Sequence, residues 1–416
     1  MGASRPWKVD PGATVKILVV GTNRPCHRTL MDAGHEVVLA VEADKVIPAD
    51  DQGYAKVVPL SSDAVQSGTV DDNDLAPHLG TGIEVVASYH DSYYEVAAAL
   101  AAGLDARCVV DLAVTRVLRD KYATRLKVAD LECGRVNSAV LEPGRPLDSL
   151  DGVGFPCVVK PLDSEASMAV TFVHEADRLA EAVERARDAD RTGRCLVEEM
   201  VSGPEFSVET FSVAGRHHVL AVTEKFKLPE SPVEQGHLIP ARLDDNDRKR
   251  IENSVCEVLD HIGLTDGPGH SEFILSPSGP KLVESHNRMG GDRIGILVEL
   301  ATGIDYIELV ARHGALIPVH PSDLEPSRKH RAAVWYSADE PEGDAATVTE
   351  VTGRDAADAV EHVVRTEILK PPGATVSRIK GSFDRPALAI ASGPPEADVL
   401  EAARTAVSRL TFHYVQ

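Results

Sequence analysis

One predicted hairpin near the middle of the sequence places two carboxylates face to face. Residues 271–286 have the composition of two strands joined by a turn. If the turn centres on Ser278, Glu272 and Glu284 are cross-strand neighbours with Cβ atoms about 5 Å apart, where two ionised carboxylates repel each other. A cation is therefore expected between them, and oxygen ligands suit Mg²⁺ better than a transition metal. The alternative is an exposed hairpin whose charges only face solvent.

The residues after Glu284 extend this cluster. His286 and Arg288 share the strand parity of Glu284, so the three side chains are expected on one face. Asp292 is placed to cap a helix whose apolar residues recur at helical spacing. Such a cap would put the two preceding glycines at a helix N-terminus, where backbone N–H groups bind anions.

The composition predicts a cytoplasmic protein of several domains. The chain has 416 residues, which is too many for one ordinary core. Its 65 acidic and 43 basic residues give a net charge of −22, which argues against nucleic acid or an anionic membrane as the main partner. The six cysteines are scattered singly, as expected for reduced thiols. The polar first eleven residues do not resemble a signal peptide, and no apolar stretch is long enough to cross a bilayer.

The first 112 residues have the pattern of an α/β layer. A continuous apolar run at residues 15–20 predicts a strand buried on both faces. The layer continues with predicted strands at residues 35–41, 55–58 and 83–88 and an Ala-rich helix over residues 93–102. No Gly-x-Gly-x-x-Gly follows the first strand, so a dinucleotide site is not predicted. His90 and Asp91 follow the fourth strand, where such sheets bind ligands, although ordinary loop polarity is the simpler interpretation.

Two lysines stand out in the next part of the chain. Residues 111–131 are predicted to form one helix, in which Lys121 and Arg125 are one turn apart. A predicted strand at residues 155–161 contains Lys160, and an ammonium at the end of a buried strand needs an anion, unless the strand lies at a sheet edge. A polar loop over residues 163–169 follows and contains no glycine.

The segment before the central hairpin contains further charged residues. Glu198 and Glu205 flank a Gly-Pro turn between two strands, and a hairpin over residues 206–226 ends near Lys225. Residues 228–240 are predicted to form a loop, and a helix over residues 245–261 leads back to the central hairpin. From about residue 318 the composition shifts toward Asp, Glu, Pro and Gly, which indicates a last small α+β domain.

In this order the motifs resemble the ATP-grasp superfamily of carboxylate-amine ligases, most closely its L-amino-acid ligase branch, which makes dipeptides. The resemblance implies an ATP-grasp fold with α/β and α+β parts. It implies an N-terminal Rossmann-like pre-ATP-grasp domain (residues 1–112), an ATP-grasp domain (residues 113–317) and a C-terminal α+β domain (residues 318–416). The ATP-grasp domain would divide into a small subdomain (residues 113–193) and a central subdomain (residues 194–317).

The resemblance also implies an ATP site. Lys121 and Lys160 match two lysines that hold ATP phosphates, and Lys225 resembles the lysine that reaches the terminal phosphates. The loop over residues 163–169 stands where the family usually has a Gly-rich flap, so closure is expected to be less free. Ser164 and Ser167 can still offer hydroxyl and backbone donors to the phosphates.

Residues 198–205 resemble the adenosine clamp of the family. By that match Glu198 accepts a hydrogen bond from the adenine amine. The backbone from Glu199 to Val201 reads the ring edge, and Glu205 takes the ribose hydroxyls.

Glu272 and Glu284 match the paired magnesium carboxylates of the family. Mn²⁺ is the alternative ion. Arg288 matches the arginine of the family's Glu-x-Asn-x-Arg motif, which steadies the phosphorylated carboxyl group and the tetrahedral intermediate. His286 replaces the asparagine of that motif, and Asn287 stands one place further along. Either His286 completes the metal site through nitrogen, or Asn287 reaches it through a local bulge.

The implied reaction transfers the γ-phosphoryl group of ATP to a carboxylate, after which an amine attacks the acyl phosphate and ADP and phosphate are released. Glu234 and His237 resemble the Glu-x-x-His of dipeptide-forming members, where these residues contact substrate. The implied partners are a small carboxylic acid and an amine, such as amino acids or their derivatives. Dimers are common in the family, which leaves a homodimer open.

Two other functions remain open at this point. One is carboxylation through carboxyphosphate, for which a separate carrier would have to supply biotin, because the chain has no Met-Lys-Met sequence. The other is a nucleotide-binding module without turnover, to which His286 and the glycine-free loop point.

Overall fold

The computed structural model describes residues 14–70, 79–145, 152–163 and 167–415. The polar start of the chain and Ser164, which entered the predictions above, lie outside these residues. The strands within the described residues form four sheets. Among the same residues, none of the helices has both the length and the apolar character that a bilayer crossing requires.

The N-terminal part is built on a parallel sheet. Its elements are β1 (Lys16–Val20), α1 (Arg24–Asp32), β2 (Glu36–Glu42), β3 (Lys56–Leu60), α2 (Ser62–Ser67), β4 (Val85–Ser88) and α3 (Tyr94–Gly103). The strand order is β3-β2-β1-β4, and all neighbouring strands are parallel. The central strand β1 and the edge strand β4 are both buried along almost their whole length, as their apolar runs predict. The predicted α/β layer is confirmed.

The next part is a small antiparallel sheet with its helices. Its elements are α4 (Leu112–Arg119), α5 (Lys121–Lys127), β5 (Ser138–Leu141), β6 (Cys157–Pro161), β7 (Thr171–Val173), α6 (Leu179–Ala189) and β8 (Cys195–Glu199), with strand order β5-β8-β6-β7. The prediction of one helix over residues 111–131 is wrong. Asp120 is extended, and its carboxylate accepts hydrogen bonds from the backbone N–H groups of Tyr122 and Ala123, both at 2.9 Å. This cap ends α4 and starts α5.

The central part contains the predicted hairpin. Its elements are β9 (Glu205–Val213), β10 (Arg216–Lys227), β11 (Glu234–Ile239), α7 (Asp245–Ile262), β12 (Gly267–Ser276), β13 (Gly279–His286), α8 (Ile294–Thr302) and α9 (Tyr306–Gly314). The prediction that residues 228–240 form a loop is wrong for their second half, which is β11. Gly236 allows β11 to pack closely, because a Cβ there would lie 2.3 Å from Cε3 of Trp335.

The C-terminal part contributes to two sheets. Its elements are β14 (Arg331–Tyr336), β15 (Ala345–Thr352), α10 (Arg354–Asp358), β16 (Val363–Ile368), β17 (Thr375–Ser377), β18 (Ala387–Gly393), α11 (Val399–Ser408) and β19 (Thr411–Val415). Within the described residues, one antiparallel sheet has the order β13-β12-β9-β10-β11-β14-β18-β16, and a smaller sheet has the order β17-β15-β19. The pairing of β11 with β14 therefore joins strands from both sides of residue 318 in one sheet.

A buried cluster behind the hairpin fixes its position. Leu259 and Val255 of α7 are fully buried in one hydrophobic cluster with Phe273 of β12 and Leu282 of β13. Because side chains alternate along a strand, this apolar face sets which residues of the hairpin face the other way.

Removal of side-chain volume from this cluster should destabilise the protein. Leu259→Ala leaves a cavity between α7 and the hairpin, and we expect the free energy of unfolding to fall by about 2–5 kcal/mol. Urea unfolding followed by circular dichroism measures the change. Leu126→Ala is the matched control, because Leu126 is 62% exposed, and it should change the free energy by less than about 0.5 kcal/mol. Equal losses in the two variants would contradict this account of the hairpin's support.

Candidate active site

One cavity of about 750 Å³ is lined by most of the site residues that were predicted from the sequence. Its wall includes strands of the small sheet and of the large sheet, and Asn23, Tyr89 and His90 of the N-terminal part reach it. His286 and Asn287 are not among its lining residues. The selected residues that line it are Lys121, Lys160, Ser167, Glu198, Glu199, Val201, Glu205, Lys225, Glu234, His237, Glu272, Glu284 and Arg288.

The two facing carboxylates lie in the predicted register. Glu272 of β12 is directly opposite Glu284 of β13, which confirms the predicted pairing. The register shifts between Glu272 and Phe273, so a bulge directly follows the pair. Two carboxylates at this distance need nearby positive charge to remain ionised together.

Lysines supply that charge from two sides. Nζ of Lys225 lies 2.5 Å from Glu272, and Nζ of Lys121 lies 3.6 Å from Glu284. Burial and the charge of Glu284 raise the pKa of Glu272, but the Lys225 ammonium and His270 together outweigh them and hold that pKa well below its usual range. The pKa of Glu284 is lowered in the same way, because Lys121 and His286 outweigh the effect of burial. Both carboxyl groups are therefore ionised at neutral pH.

Lys225 is the centre of this charge cluster. Its ammonium also lies 3.0 Å from Glu205 and 3.1 Å from Glu234, so three carboxylates surround one cation. Burial lowers the pKa of Lys225, but attraction to Glu272, Glu234 and Glu205 outweighs burial and raises that pKa well above its usual value. Among the described residues, oxygen atoms of these same three glutamates lie within 4.8 Å of one another and form a candidate metal-ligand group. The lysine ammonium already balances part of their charge.

A second buried cluster joins Glu198 to two cations. Glu198 pairs with Nζ of Lys160 at 2.5 Å and with the guanidinium of Arg125, which in turn donates to the carbonyl of Val283 at 3.1 Å. The pKa of Glu198 falls to about 2, because Arg125 and Lys160 outweigh burial. Burial lowers the pKa of Lys160, with Arg125 and Lys121 adding to that effect against Glu198.

Sequence reasoning gave Arg125 no role. Its one-turn spacing from Lys121 was the only signal, and the burial of both side chains explains its importance here. Through Arg125, helix α5 is tied to both β8 and β13, which carry Glu198 and Val283.

Asp91 of the N-terminal part connects His286 and Arg288. Its Oδ2 atom lies 2.9 Å from Nδ1 of His286 and accepts from Nε of Arg288 at 3.1 Å. The interpretation of Asp91 as ordinary loop polarity is wrong, because the side chain is buried. The pKa of Asp91 is well below its usual value, since Arg288 and His286 outweigh burial.

His286 contacts two residues of the cavity wall, whereas Asn287 faces away from it. Nε2 of His286 lies 3.3 Å from Glu284, and its ring stacks on His270 with 6.3 Å between centroids. Asn287 lies on the opposite face of the chain, where its amide nitrogen donates to Thr115 at 2.9 Å. The alternation of side chains along an extended chain explains this separation.

Three further selected residues have partners at the cavity wall. The hydroxyl of Ser167 donates to the carbonyl of Pro232 at 3.2 Å, and Glu199 accepts from the amide of Asn137 at 2.7 Å. Nε2 of His237 lies 3.2 Å from Oδ2 of Asp292. Ser167 has a positive φ of 59°, which is uncommon for a residue with a side chain.

The predicted helix cap at Asp292 is wrong. Helix α8 begins at Ile294 without a side-chain cap, and Asp292 has a φ of 50°. The carboxylate of Asp292 is used by His237 and Arg385 instead. Gly290 and Gly291 precede the first turn of this helix, but both line the cavity, and the anion site at these two residues stays a prediction.

Comparison with known proteins identifies two parts of the chain. Residues 153–295 match the model of the ATP-grasp domain, and residues 343–415 match that of the L-amino acid ligase C-terminal domain 2. The solved structure of L-amino acid ligase from Bacillus licheniformis has a TM-score of 0.81 at 20% identity, covering 97% of this chain and 99% of that chain.

Curated relatives match shorter parts of the chain. Uncharacterized protein y4rH of Sinorhizobium fredii is 27% identical over 248 residues, which are 58% of this chain and 50% of that protein. D-alanine–D-alanine ligase of Desulforamulus reducens is 28% identical over 178 residues, which are 40% of this chain and 55% of that protein. The chain spans about half the length of these curated relatives.

Loss of the Glu198 carboxylate should destabilise the protein in a pH-dependent way. Glu198→Gln leaves Lys160 and Arg125 buried without their anion, so we expect a loss of about 3–5 kcal/mol at pH 7. The folded-state pKa of about 2 lies below the ordinary value of 4.5, so the wild-type advantage is present above pH 4.5 and disappears as the pH falls toward 2. Urea unfolding at several pH values measures the difference.

Glu181→Gln is the matched control for this experiment. Glu181 pairs with Arg178 and Arg185 on the surface, where ion pairs contribute about 0–1 kcal/mol. A Glu198→Gln difference that does not narrow at low pH would contradict the assigned ion pairs.

Proposed function

The chain is an ATP-grasp protein with an L-amino acid ligase C-terminal domain, and from this premise we propose that it is an ATP-dependent carboxylate-amine ligase. The proposed product is an amide or peptide bond between two amino acids or their derivatives. One observation carries the proposal: the facing carboxylates Glu272 and Glu284 open on the same cavity as Lys121, Lys160 and Lys225. Such an arrangement suits a polyphosphate that arrives with a divalent cation.

The proposed reaction has two steps. A carboxylate oxygen of the first substrate attacks the γ-phosphorus of ATP, the bond to the bridging oxygen breaks, and ADP leaves. The amine nitrogen of the second substrate then attacks the carbonyl carbon of the acyl phosphate, the carbon–oxygen bond to phosphate breaks, and the nitrogen loses a proton. Both steps depend on positioning and charge stabilisation, so the protein needs no nucleophile of its own.

The three lysines are the proposed phosphate ligands. Each ammonium has a carboxylate partner: Lys121 is near Glu284, Lys160 pairs with Glu198, and Lys225 contacts Glu205, Glu234 and Glu272. Bound phosphates would take over part of this pairing, and the divalent cation that arrives with them would balance the carboxylates that the lysines release. Ser167 is the proposed hydroxyl donor to the phosphates.

We propose that adenosine is bound by the residues where β8 ends and β9 begins. We assign the ring edge to the backbone from Glu199 to Val201 and the ribose to Glu205. Lys160 and Arg125 already contact the Glu198 carboxylate, so an adenine amine would share its oxygens with these two cations. Holding Lys160 in place is the contribution of Glu198 that the geometry supports best.

Glu272 and Glu284 fit a magnesium ion. Both offer hard carboxylate oxygens at the cavity wall, and both are ionised. His286 and Asn287 lie outside the lining, so the two glutamates are the protein ligands that we propose for Mg²⁺ or Mn²⁺. When bound, the ion would neutralise phosphate charge during phosphoryl transfer.

The substrate end of the cavity is assigned to Arg288, Glu234 and His237. The Arg288 guanidinium, oriented by Asp91, would stabilise negative charge on the phosphorylated carboxyl group and on the tetrahedral intermediate. Glu234 and His237, on β11, would contact the incoming amine.

Product analysis tests the reaction type. Pairs of amino acids are incubated with Mg²⁺ and ATP, phosphate release is followed, and mass spectrometry identifies any condensed product. We expect ADP and phosphate to appear in equal amounts, and only when both a carboxylate and an amine are present. AMP as the product would contradict the acyl phosphate, and ADP release that requires bicarbonate alone would favour a carboxylase.

A single carboxylate substitution tests the metal assignment. Glu284→Gln removes one charged ligand, so we expect turnover to fall by about 10²–10³-fold, the loss expected when one transition-state stabiliser is removed. Glu224→Gln is the control, because Glu224 lies on β10, outside the lining, and pairs with Arg242. Circular dichroism checks that both variants fold. Undiminished turnover in Glu284→Gln would remove this residue from the metal site.

A further inference from the structure

An arginine from the C-terminal part contacts three residues that line the cavity, Glu234, Asp292 and Ser382. Arg385 is 3% exposed, and its guanidinium forms two hydrogen bonds with the carboxylate of Asp292, at 2.6 and 2.9 Å. It also donates to the backbone carbonyls of Glu234 at 2.8 Å and Ser382 at 2.7 Å. The same side chain therefore contacts β11 and the loop between β13 and α8.

The environment of Arg385 fixes its plane. The guanidinium carbon lies 3.6 Å from the centroid of the buried Tyr336 ring, a cation–π distance. The two parallel hydrogen bonds and the stacked ring hold the guanidinium group in one orientation. A lysine would keep the charge but could not make this set of contacts.

Asp292 connects Arg385 to His237. Asp292 has a φ of 50°, a conformation that costs free energy and persists only where the surroundings enforce it. Its Oδ2 atom lies 3.2 Å from Nε2 of His237, while Nδ1 of His237 is buried with no hydrogen-bond partner among the described residues. An ionised Asp292 accepts a hydrogen bond, so the neutral ring carries its proton on Nε2 and leaves Nδ1 as the unprotonated nitrogen.

We propose that Arg385 is a positioning residue of the ligation site: it fixes Asp292 and the backbone of Glu234, and through Asp292 it sets the orientation and tautomer of His237. The inference rests on the proposed function, in which Glu234 and His237 contact the amine substrate. It adds that the C-terminal part holds these two residues in position. Ser382 supports the same arrangement, since its hydroxyl donates to the Glu234 carboxylate at 3.3 Å. A chain of contacts of this kind resembles the base and orienting carboxylate of other enzymes.

Kinetics of the ligation reaction separate positioning from mere structural support. We expect Arg385→Lys and Asp292→Asn each to lower kcat by at least ten-fold while the KM for ATP changes by less than two-fold. The double variant should lose little more than either single one, since both act through one contact. Arg312→Lys is the control, because Arg312 pairs with Asp323 outside the cavity lining, and its kcat should match the wild type.

Nitrogen NMR of the resting protein tests the inference without turnover. With ¹⁵N-labelled histidine, and with His237→Gln to assign the signal, the wild-type ring should show a protonated Nε2 and an unprotonated Nδ1. Asp292→Asn and Arg385→Lys should shift this signal, and Arg312→Lys should leave it unchanged. If the wild type forms no product in any assay, the ligase proposal fails while the NMR result still decides the tautomer.

Two results would overturn the inference. One is a His237 nitrogen signal that is the same in the folded Arg385→Lys and Asp292→Asn variants as in the wild type. The other is a kinetic loss that falls on the KM for ATP or that Arg312→Lys reproduces. Circular dichroism and thermal unfolding establish that the variants fold. If Arg385→Lys does not fold, Asp292→Asn and Ser382→Ala test the same contacts from the other side.

Discussion

The compensation of buried charge around Lys225 underlies the architecture of the cavity. One ammonium is held within about 3 Å of three carboxylates from three strands, Glu205 at the start of β9, Glu234 at the start of β11 and Glu272 in β12. An isolated charge at this depth would be very unfavourable, whereas a paired and hydrogen-bonded one can be tolerated. The sequence therefore has to supply both signs of charge at one place in the fold.

The antiparallel sheet brings these charges together. Lys225 pairs in register with Glu205 on one side and with His237 on the other, and Glu272 lies across from Ser207. A slip of one residue in any of these pairings would turn a charged side chain to the apolar face that packs against α7. Charge pairing on one face and hydrophobic packing on the other thus specify the same register.

The parts of the site that follow local rules were predictable. The facing of Glu272 and Glu284 was predicted from a turn centred on Ser278. Beside the turn, however, Ser276 pairs with Gly279, and only the bulge next to Glu272 brings the two carboxylates opposite each other. Lys160 was recognisable as a cation in an apolar strand. Strand β11 was missed, because a polar segment with Gly236 has the composition of a loop. The reason for a glycine in this strand is its close packing against Trp335, which lies about a hundred residues away in the sequence.

The residues that hold the site in place depend on distant contacts, so their roles could not be predicted from spacing. Arg125 of helix α5 binds Glu198 of strand β8, and Asp91 of the N-terminal part binds Arg288, which follows β13. Arg385 of the C-terminal part binds Asp292. In each case a local rule suggested something simpler: a helix-face arginine, a polar loop or a helix cap. The tertiary partner overrode the local preference, because a charge that is removed from solvent needs a charged or hydrogen-bonding partner to stay ionised.

The pairing of β11 with β14 has a consequence for how the chain can be divided. A fragment that ends near residue 317 would keep β9 to β13 but expose the backbone N–H and C=O groups of β11 along a new sheet edge. Such an edge invites pairing with another molecule. The two parts that match separate family models therefore share one hydrogen-bonded sheet, and the ATP-grasp part depends on the C-terminal part to cover this edge.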